Sequence, residues 1–298
     1  CIGLLPKDKF VKNVKAGDNL IIAGNKTGRD GIHGVTFASV ELDEKSDVSR
    51  SAVQIPDAIQ QEKLKRAILE IRDRKLASAI TDLGGGGLSC GSCELADSAG
   101  IGISVFLDSV PLREKLAPWE IFVSESQERM LLVVPDKNLQ EVLQIFAGED
   151  VEATPIGKFI QDKISKIYYK GTVVGELDLQ FLFNPISTTK KAVWQKPEYP
   201  EPTFDEPKDL TQVLLKLLSQ PNIASKESVV RTYDHEVKGN TVLKPLHGEF
   251  SGPNDAAVLK PLSTSWQGIV ISSGMNPNYG KIDPYWMAAS AIDEAIRN

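Results

Sequence analysis

The chain has 298 residues, 41% of them hydrophobic and 25% charged, and a formal net charge of -6. That is the composition of an ordinary globular protein, long enough for two cores rather than one. The acidic balance argues against nucleic-acid binding, which needs a clustered basic face, and no apolar stretch approaches the roughly 18 residues that span a bilayer. An anionic ligand must therefore be held by local groups. Nothing after Cys1 resembles a signal peptide, so a cytoplasmic location is expected. Because the chain opens on Cys1 and stops at Asn298 inside a helical pattern, it reads as a segment of a longer polypeptide.

In chain order, Asn19 to Ala23 reads as a strand, followed by the glycine-punctuated loop Gly24 to Gly34. There Arg29 and Asp30 are expected to bond the backbone of a compact turn, and His33 is a general base by type only. Gln54 lies just before a helix that begins near Asp57, where Asp57 and Gln60 have capping-box-like spacing. Leu64, Ala67, Ile68 and Ile71 then recur at helical spacing, and Leu76 to Thr81 reads as a strand.

The segment Ile80-Thr81-Asp82-Leu83-Gly84-Gly85-Gly86-Gly87-Leu88 leaves that strand and opens a helix-like run, Ser92 to Ala99. Glycines Gly84, Gly85 and Gly86 let the backbone approach a ligand, and a helix start offers amides to an anion. Asp82, at the strand end, is placed to hold a hard cation such as magnesium. The segment lacks both the Gly-Lys-Ser/Thr ending of a P-loop and the spacing of a dinucleotide fingerprint. The Cys90-Gly91-Ser92-Cys93 spacing fits a redox pair or half a zinc site; with His33, His235 and His247 scattered, small residues packing a tight loop is the favoured reading.

Further on, the polar run Ser124-Glu125-Ser126-Gln127-Glu128-Arg129 separates the buried-looking Trp119-Glu120-Ile121-Phe122-Val123 from the strand Met130 to Val134. It is either a charged turn at a sheet edge or a ligand wall rich in donors and acceptors. Leu139, Val142, Leu143 and Phe146 form a helical face. Strands follow at Ile156 to Phe159, Ser165 to Tyr169 and Thr172 to Leu177, with Lys170-Gly171 as a hairpin turn. The fold class is α/β (α+β), a layered domain.

Between Asn184 and Lys208, Pro185, Pro197, Pro200, Pro202 and Pro207 interrupt regular structure, which reads as a linker. The expected organisation is thus a first domain over 1–184, a linker over 185–208 and a second domain over 209–298 that is incomplete. The second holds a helix with Leu210, Val213, Leu214, Leu217 and Leu218 on one stripe, strands Ala256 to Leu259 and Gln267 to Ser272, and a helix from Pro284. Asp234, in Arg231 to Val237, and Asp255 are lone acids better suited to turns than to metal.

Together, Thr27 to Phe37, Ile80 to Leu88, Val110 to Glu114, Ser124 to Met130 and Thr232 to Val237 resemble, in order and spacing along nearly the whole chain, the synthetase subunit of phosphoribosylformylglycinamidine synthase, small PurL type. The resemblance implies an AIR synthetase-like (PurM-like) fold of two tandem domain pairs. This chain would supply the flanking α/β half of the first pair and the barrel-forming half of the second. It implies an ATP-dependent ligase of purine biosynthesis that turns formylglycinamide ribonucleotide and ammonia into the amidine, with Mg2+ as a cofactor. A glutaminase subunit and a small accessory subunit are the implied partners. The alternatives are a noncatalytic nucleotide-binding or scaffold module of the same fold, or another AIR synthetase-like ATP-dependent enzyme. The family's substrate-binding positions fall on Gln54, Glu125, Ser126 and Gln127, and its magnesium aspartate on Asp82. The sequence departs from the family after Gln54, where Ile55-Pro56-Asp57 replaces the frequent Gly-Asp-Pro. The family's catalytic histidine belongs to a half that these residues do not include, so no catalytic residue is assigned here.

Overall fold

The computed structural model describes residues 4–7, 12–40, 52–191, 193, 195, 197–232, 236 and 239–298. These divide into two compact units, Leu5–Thr188 and Thr189–Asn298 with the chain start.

The first unit is built around strand β1 (Asn19–Gly24), all six of whose residues are buried. Side chains alternate across a strand, so Leu20 and Ile22 enter one core while Ile21 and Ala23 enter a second. Burial on both faces accounts for the unbroken apolar run, each such side chain contributing about 1.5–3 kcal/mol. After β1 come the short helix α1 (Gly34–Phe37), α2 (Ala58–Asp73), β2 (Ala79–Asp82), α3 (Gly87–Ser98), β3 (Gly102–Phe106) and α4 (Pro118–Val123). They are followed by β4 (Arg129–Val134), α5 (Leu139–Gly148), β5 (Ala153–Ile160), β6 (Ile164–Tyr169), β7 (Thr172–Asp178) and α6 (Leu179–Phe183).

The strands form one seven-stranded sheet in the order β2-β4-β1-β5-β3-β6-β7. Only β3 and β6 run parallel; every other pairing is antiparallel. Leu64, Ala67 and Ile71 of α2 pack with Val142 and Phe146 of α5 over one face, and Leu88, Cys93, Leu95 and Ala96 of α3 cover the other. Lys170 and Gly171, both at positive φ (50° and 77°), close the β6-β7 hairpin.

Several boundaries differ from expectation. Strand β2 starts at Ala79, because Leu76 instead closes the end of α2 by donating its amide to Ile71 O at 3.1 Å. Helix α3 starts at Gly87, five residues before Ser92; Gly86, at φ 74°, is its left-handed N-cap. Cys90 and Cys93 therefore lie in a helix, not a tight loop, with Cys93 buried and Cys90 exposed. Pro118 opens α4, so the run from Trp119 to Val123 is helical and only one side faces the core: Ile121 is buried while Trp119 is 56% exposed. Strand β3 has no counterpart in the sequence reading.

In the second unit, α7 (Leu210–Leu218), α8 (Glu227–Val230), β8 (Thr241–Leu243), β9 (Leu246–His247), β10 (Gly252–Pro253), β11 (Ala256–Leu259), β12 (Ile269–Ser272) and α9 (Pro284–Arg297) follow one another. A three-stranded sheet has the order β12-β11-β8, and β9 pairs with β10. None of its described residues is buried, and the stripe of α7 is open, with Leu210 at 68% exposure and Leu214 at 55%. Between α6 and α7 the described residues form no helix or strand.

Candidate functional site

The β2-β4 ladder places Asp82 opposite Met130, and Leu83 N donates to Arg129 O at 3.2 Å. The glycine loop at the end of β2 is thereby fixed beside the polar segment that precedes β4. That segment is no exposed turn: Ser124, Glu125, Ser126 and Arg129 are 0 to 3% exposed. Every buried side-chain nitrogen or oxygen among the described residues has a hydrogen-bond partner.

Arg129 holds the segment from within. Its Nε donates to Ser126 O at 2.7 Å, Nη2 to Ser124 O at 2.6 Å and Nη1 to Thr27 Oγ1 at 2.8 Å. Burial pulls its pKa down to about 10, opposed by the charge of Asp30, so the guanidinium stays protonated at neutral pH. Ser126 Oγ donates to Asp30 Oδ1 at 2.7 Å and accepts from Gly28 N at 2.9 Å. Ser124 Oγ donates to Gly28 O at 2.8 Å.

Arg29 and Asp30 thus reach far beyond their own turn, contrary to the expectation that they bond local backbone. Asp30 Oδ1 also accepts from Arg113, and Arg29 pairs with Glu120 at 2.8 Å. The Arg29 bond, followed by the amide of Ala117, holds the Glu120 carboxyl below its ordinary range. Nothing in the spacing of these residues announced the pairs.

The segments that carry Val35, Gln54 and Gly86 meet at Glu125. Its Oε1 accepts from Gly86 N at 3.1 Å, and its Oε2 from Val35 N and Gln54 Nε2, each at 3.2 Å. Close approach explains two glycines. A Cβ at Gly31 (φ 69°) would lie 2.7 Å from Glu125 Cβ, and one at Gly87 (φ 54°) would collide with Ser124 O.

The predicted site residues therefore divide by accessibility. Gln54, Asp82, Gly84 and Gly85 are exposed, Gly86 and Gln127 are half-buried, and Glu125 and Ser126 are buried with their side chains bonded to protein. Gln127 Nε2 donates to Glu125 O at 2.9 Å. The amide of Gly86, expected to face an anion, is taken by Glu125. Asp57 caps α2 as expected, accepting from Gln60 N at 3.0 Å.

No cluster of three or more His, Cys, Asp or Glu able to hold a metal occurs among the described residues. Asp82 alone suits magnesium bound by one carboxylate, with phosphates and water completing its shell. A cleft of about 980 Å3, lined in part by Lys26, Asp57, Gln60, Arg113, Asp150 and Glu152, includes neither Gln54, Asp82 nor Gln127. His33 is exposed at φ 61° as N-cap of α1, and Asp255 is exposed before β11. Cys1, Tyr233, Asp234, His235 and Val237 lie outside the described residues.

Residues 15–170 match the model of the AIR synthase related protein, C-terminal domain. The chain belongs to this family. Its resemblance to phosphoribosylformylglycinamidine synthase, subunit PurL, runs over its whole length: it is 41% identical both to that of Picrophilus torridus, covering 41% of the relative, and to that of Methanocaldococcus jannaschii, covering 40%. The chain thus spans about two fifths of these curated relatives. It superposes on Thermotoga maritima PurL complexed with FGAR with a TM-score of 0.72 at 29% identity, covering 98% of this chain and 45% of that one. The match to the same PurL complexed with ATP has a TM-score of 0.68 at 25% identity, covering 98% and 43%. No helix of the described residues is long and apolar enough to cross a membrane.

Proposed function

We propose that the chain is part of an ATP-dependent carbon-nitrogen ligase that converts formylglycinamide ribonucleotide and glutamine-derived ammonia to the amidine, with release of ADP and phosphate. The observation that carries this reading is the convergence of Gln54, Gly86 of the glycine loop and Gln127 on Glu125, with Asp82 at the end of the strand that leads into that loop and opposite Met130. The names of its relatives and the FGAR and ATP complexes of a similar protein support the same chemistry.

In this reading ATP phosphorylates the formamide oxygen, and ammonia then displaces phosphate from the iminophosphate. Such phosphoryl transfer depends on positioning and electrostatics more than on covalent help from the protein. Exposed Gln54 and half-buried Gln127 would present their remaining amide groups to the ribonucleotide, with Glu125 and Ser126 completing the wall from behind. Asp82 would hold Mg2+, which balances phosphate charge, while the exposed glycines admit a phosphate close to backbone. Residues 1–184 would be the flanking half of a first domain pair, 185–208 a linker and 209–298 part of a second. Supporting this division are the break between units at Thr188 and the family match within 15–170. A glutaminase subunit would supply ammonia, with a small accessory subunit as a further partner, in the cytoplasm; the word subunit in the relatives' names supports an assembly.

The test is ADP formation by the full-length polypeptide with Mg2+, ammonium, ATP and formylglycinamide ribonucleotide. No substrate-dependent ADP would refute the reading and favour a noncatalytic module. The 298 residues alone should be inactive, because α7 and its neighbours have no buried residue to complete a core.

A further inference from the structure

We infer that Glu125 is a positioning residue, a latch that ties Gln54 and Gln127 to the glycine loop so that the ligand wall and the phosphate-side loop hold one shared geometry. The inference rests on the proposed reading of the site and deepens it. A side chain that touched the ligand directly would need an open oxygen, and Glu125, 3% exposed, has both oxygens committed to protein.

The three donors come from segments 39, 71 and 90 residues away in sequence. Two are backbone amides and the third is the Gln54 carboxamide. Such a convergence suits a carboxylate, which is acceptor-only, whereas a carboxamide would turn N–H groups against N–H groups. Two of the segments the carboxylate ties down have little structure of their own. Gly84, Gly85 and Gln54 are exposed and lie outside helices and strands.

With one Nε2 hydrogen given to Glu125, Gln54 keeps its carbonyl oxygen and its second N–H for a ligand. The main chain of Glu125 does the same for Gln127, whose Nε2 it accepts at 2.9 Å. Exposed Gln54 and half-buried Gln127 are thus oriented by one buried residue, and that residue also holds Gly86. Buried support of this kind sets the geometry of a site that exposed side chains alone would leave loose.

The experiment is a double-mutant cycle in the full-length polypeptide, using Gln54→Ala, Glu125→Gln and the double variant, with amide exchange measured at Gly86. Each single variant should raise KM for formylglycinamide ribonucleotide about tenfold, the loss of one charge-assisted bond's worth of alignment. The double variant should be no worse than the weaker single one, because a released Gln54 has little left to lose. Glu125→Gln should also speed exchange at Gly86 by about tenfold, whereas Gln54→Ala should leave it unchanged. Multiplicative KM effects with unaltered Gly86 exchange would show that Glu125 meets the ligand independently and overturn the latch. If Glu125→Gln does not fold, Glu125→Asp replaces it, keeping the charge while withdrawing it by one methylene, with the same coupling and exchange expected. Should the polypeptide make no ADP, the proposed function falls, yet exchange at Gly86 still decides the latch.

Discussion

Replacing Arg129 by Met removes the one group that bonds Ser124 O, Ser126 O and Thr27 Oγ1 together. Met fills much of the same volume, so the loss is chiefly that of three satisfied acceptors. An unsatisfied buried acceptor costs about 1–3 kcal/mol, and breaking a buried charged network about 3–5 kcal/mol in total after the guanidinium's own desolvation is recovered. At about 2–4 °C per kcal/mol for a unit of this size, the melting transition should fall by about 6–20 °C. Scanning calorimetry or denaturant unfolding of the first unit within the full-length protein measures it. Arg129→Lys should recover part of the loss, since an ammonium can reach one or two of the acceptors but lacks the planar fork. A drop below about 2 °C for the Met variant would refute the claim that this buried cation holds the wall together. Because burial holds the folded pKa at about 10, below the ordinary arginine range, Arg129 is charged in both states below pH 10 and adds no pH dependence there; stability tied to it should fall only above that pH, as the folded state loses a proton that the unfolded state keeps.

Asp82→Asn should reduce magnesium-dependent turnover by about 10–100-fold while shifting the melting temperature little, because the carboxylate is exposed at a strand end. Equal losses of activity and stability would count against a metal role. Gln127→Ala should raise KM for the ribonucleotide with kcat nearly unchanged, and an unaltered KM removes Gln127 from the site. Glu120 has a carboxyl pKa lowered by Arg29, so its contribution to stability is present above the ordinary carboxylate range and is lost as pH falls through the lowered value. The acid limb of the unfolding curve should be shallower in Glu120→Gln, and an identical limb in both proteins contradicts the pairing.

Strands β1, β4 and β5 to β7 were legible because apolar runs and turn residues are local signals, and helices α2, α5 and α7 because their stripes recur every turn. Strand β3 escaped: a five-residue stretch, GISVF, carries too short a pattern to stand out, and its pairing with β5 and β6 is nonlocal. The α3 start differs from expectation because a run of four glycines carries a loop signal, whereas Gly86, left-handed at φ 74°, caps the helix directly.

The site divides the same way. By itself the sequence determined which residue types are present, the likeness to the PurL type, and the candidates Gln54, Asp82, Gly84 to Gly86 and Glu125 to Gln127. Tertiary structure alone decided which of these face outward. The β2-β4 ladder carries Asp82 and the glycine loop to the segment from Ser124 to Arg129, turning an apparent charged turn into a buried network whose carboxylate faces protein amides. Hydrogen-bond partners 39 to 102 residues apart depend on chain reversals that no local pattern encodes. Burial, which separates a ligand contact from a support, exists only once those partners have met.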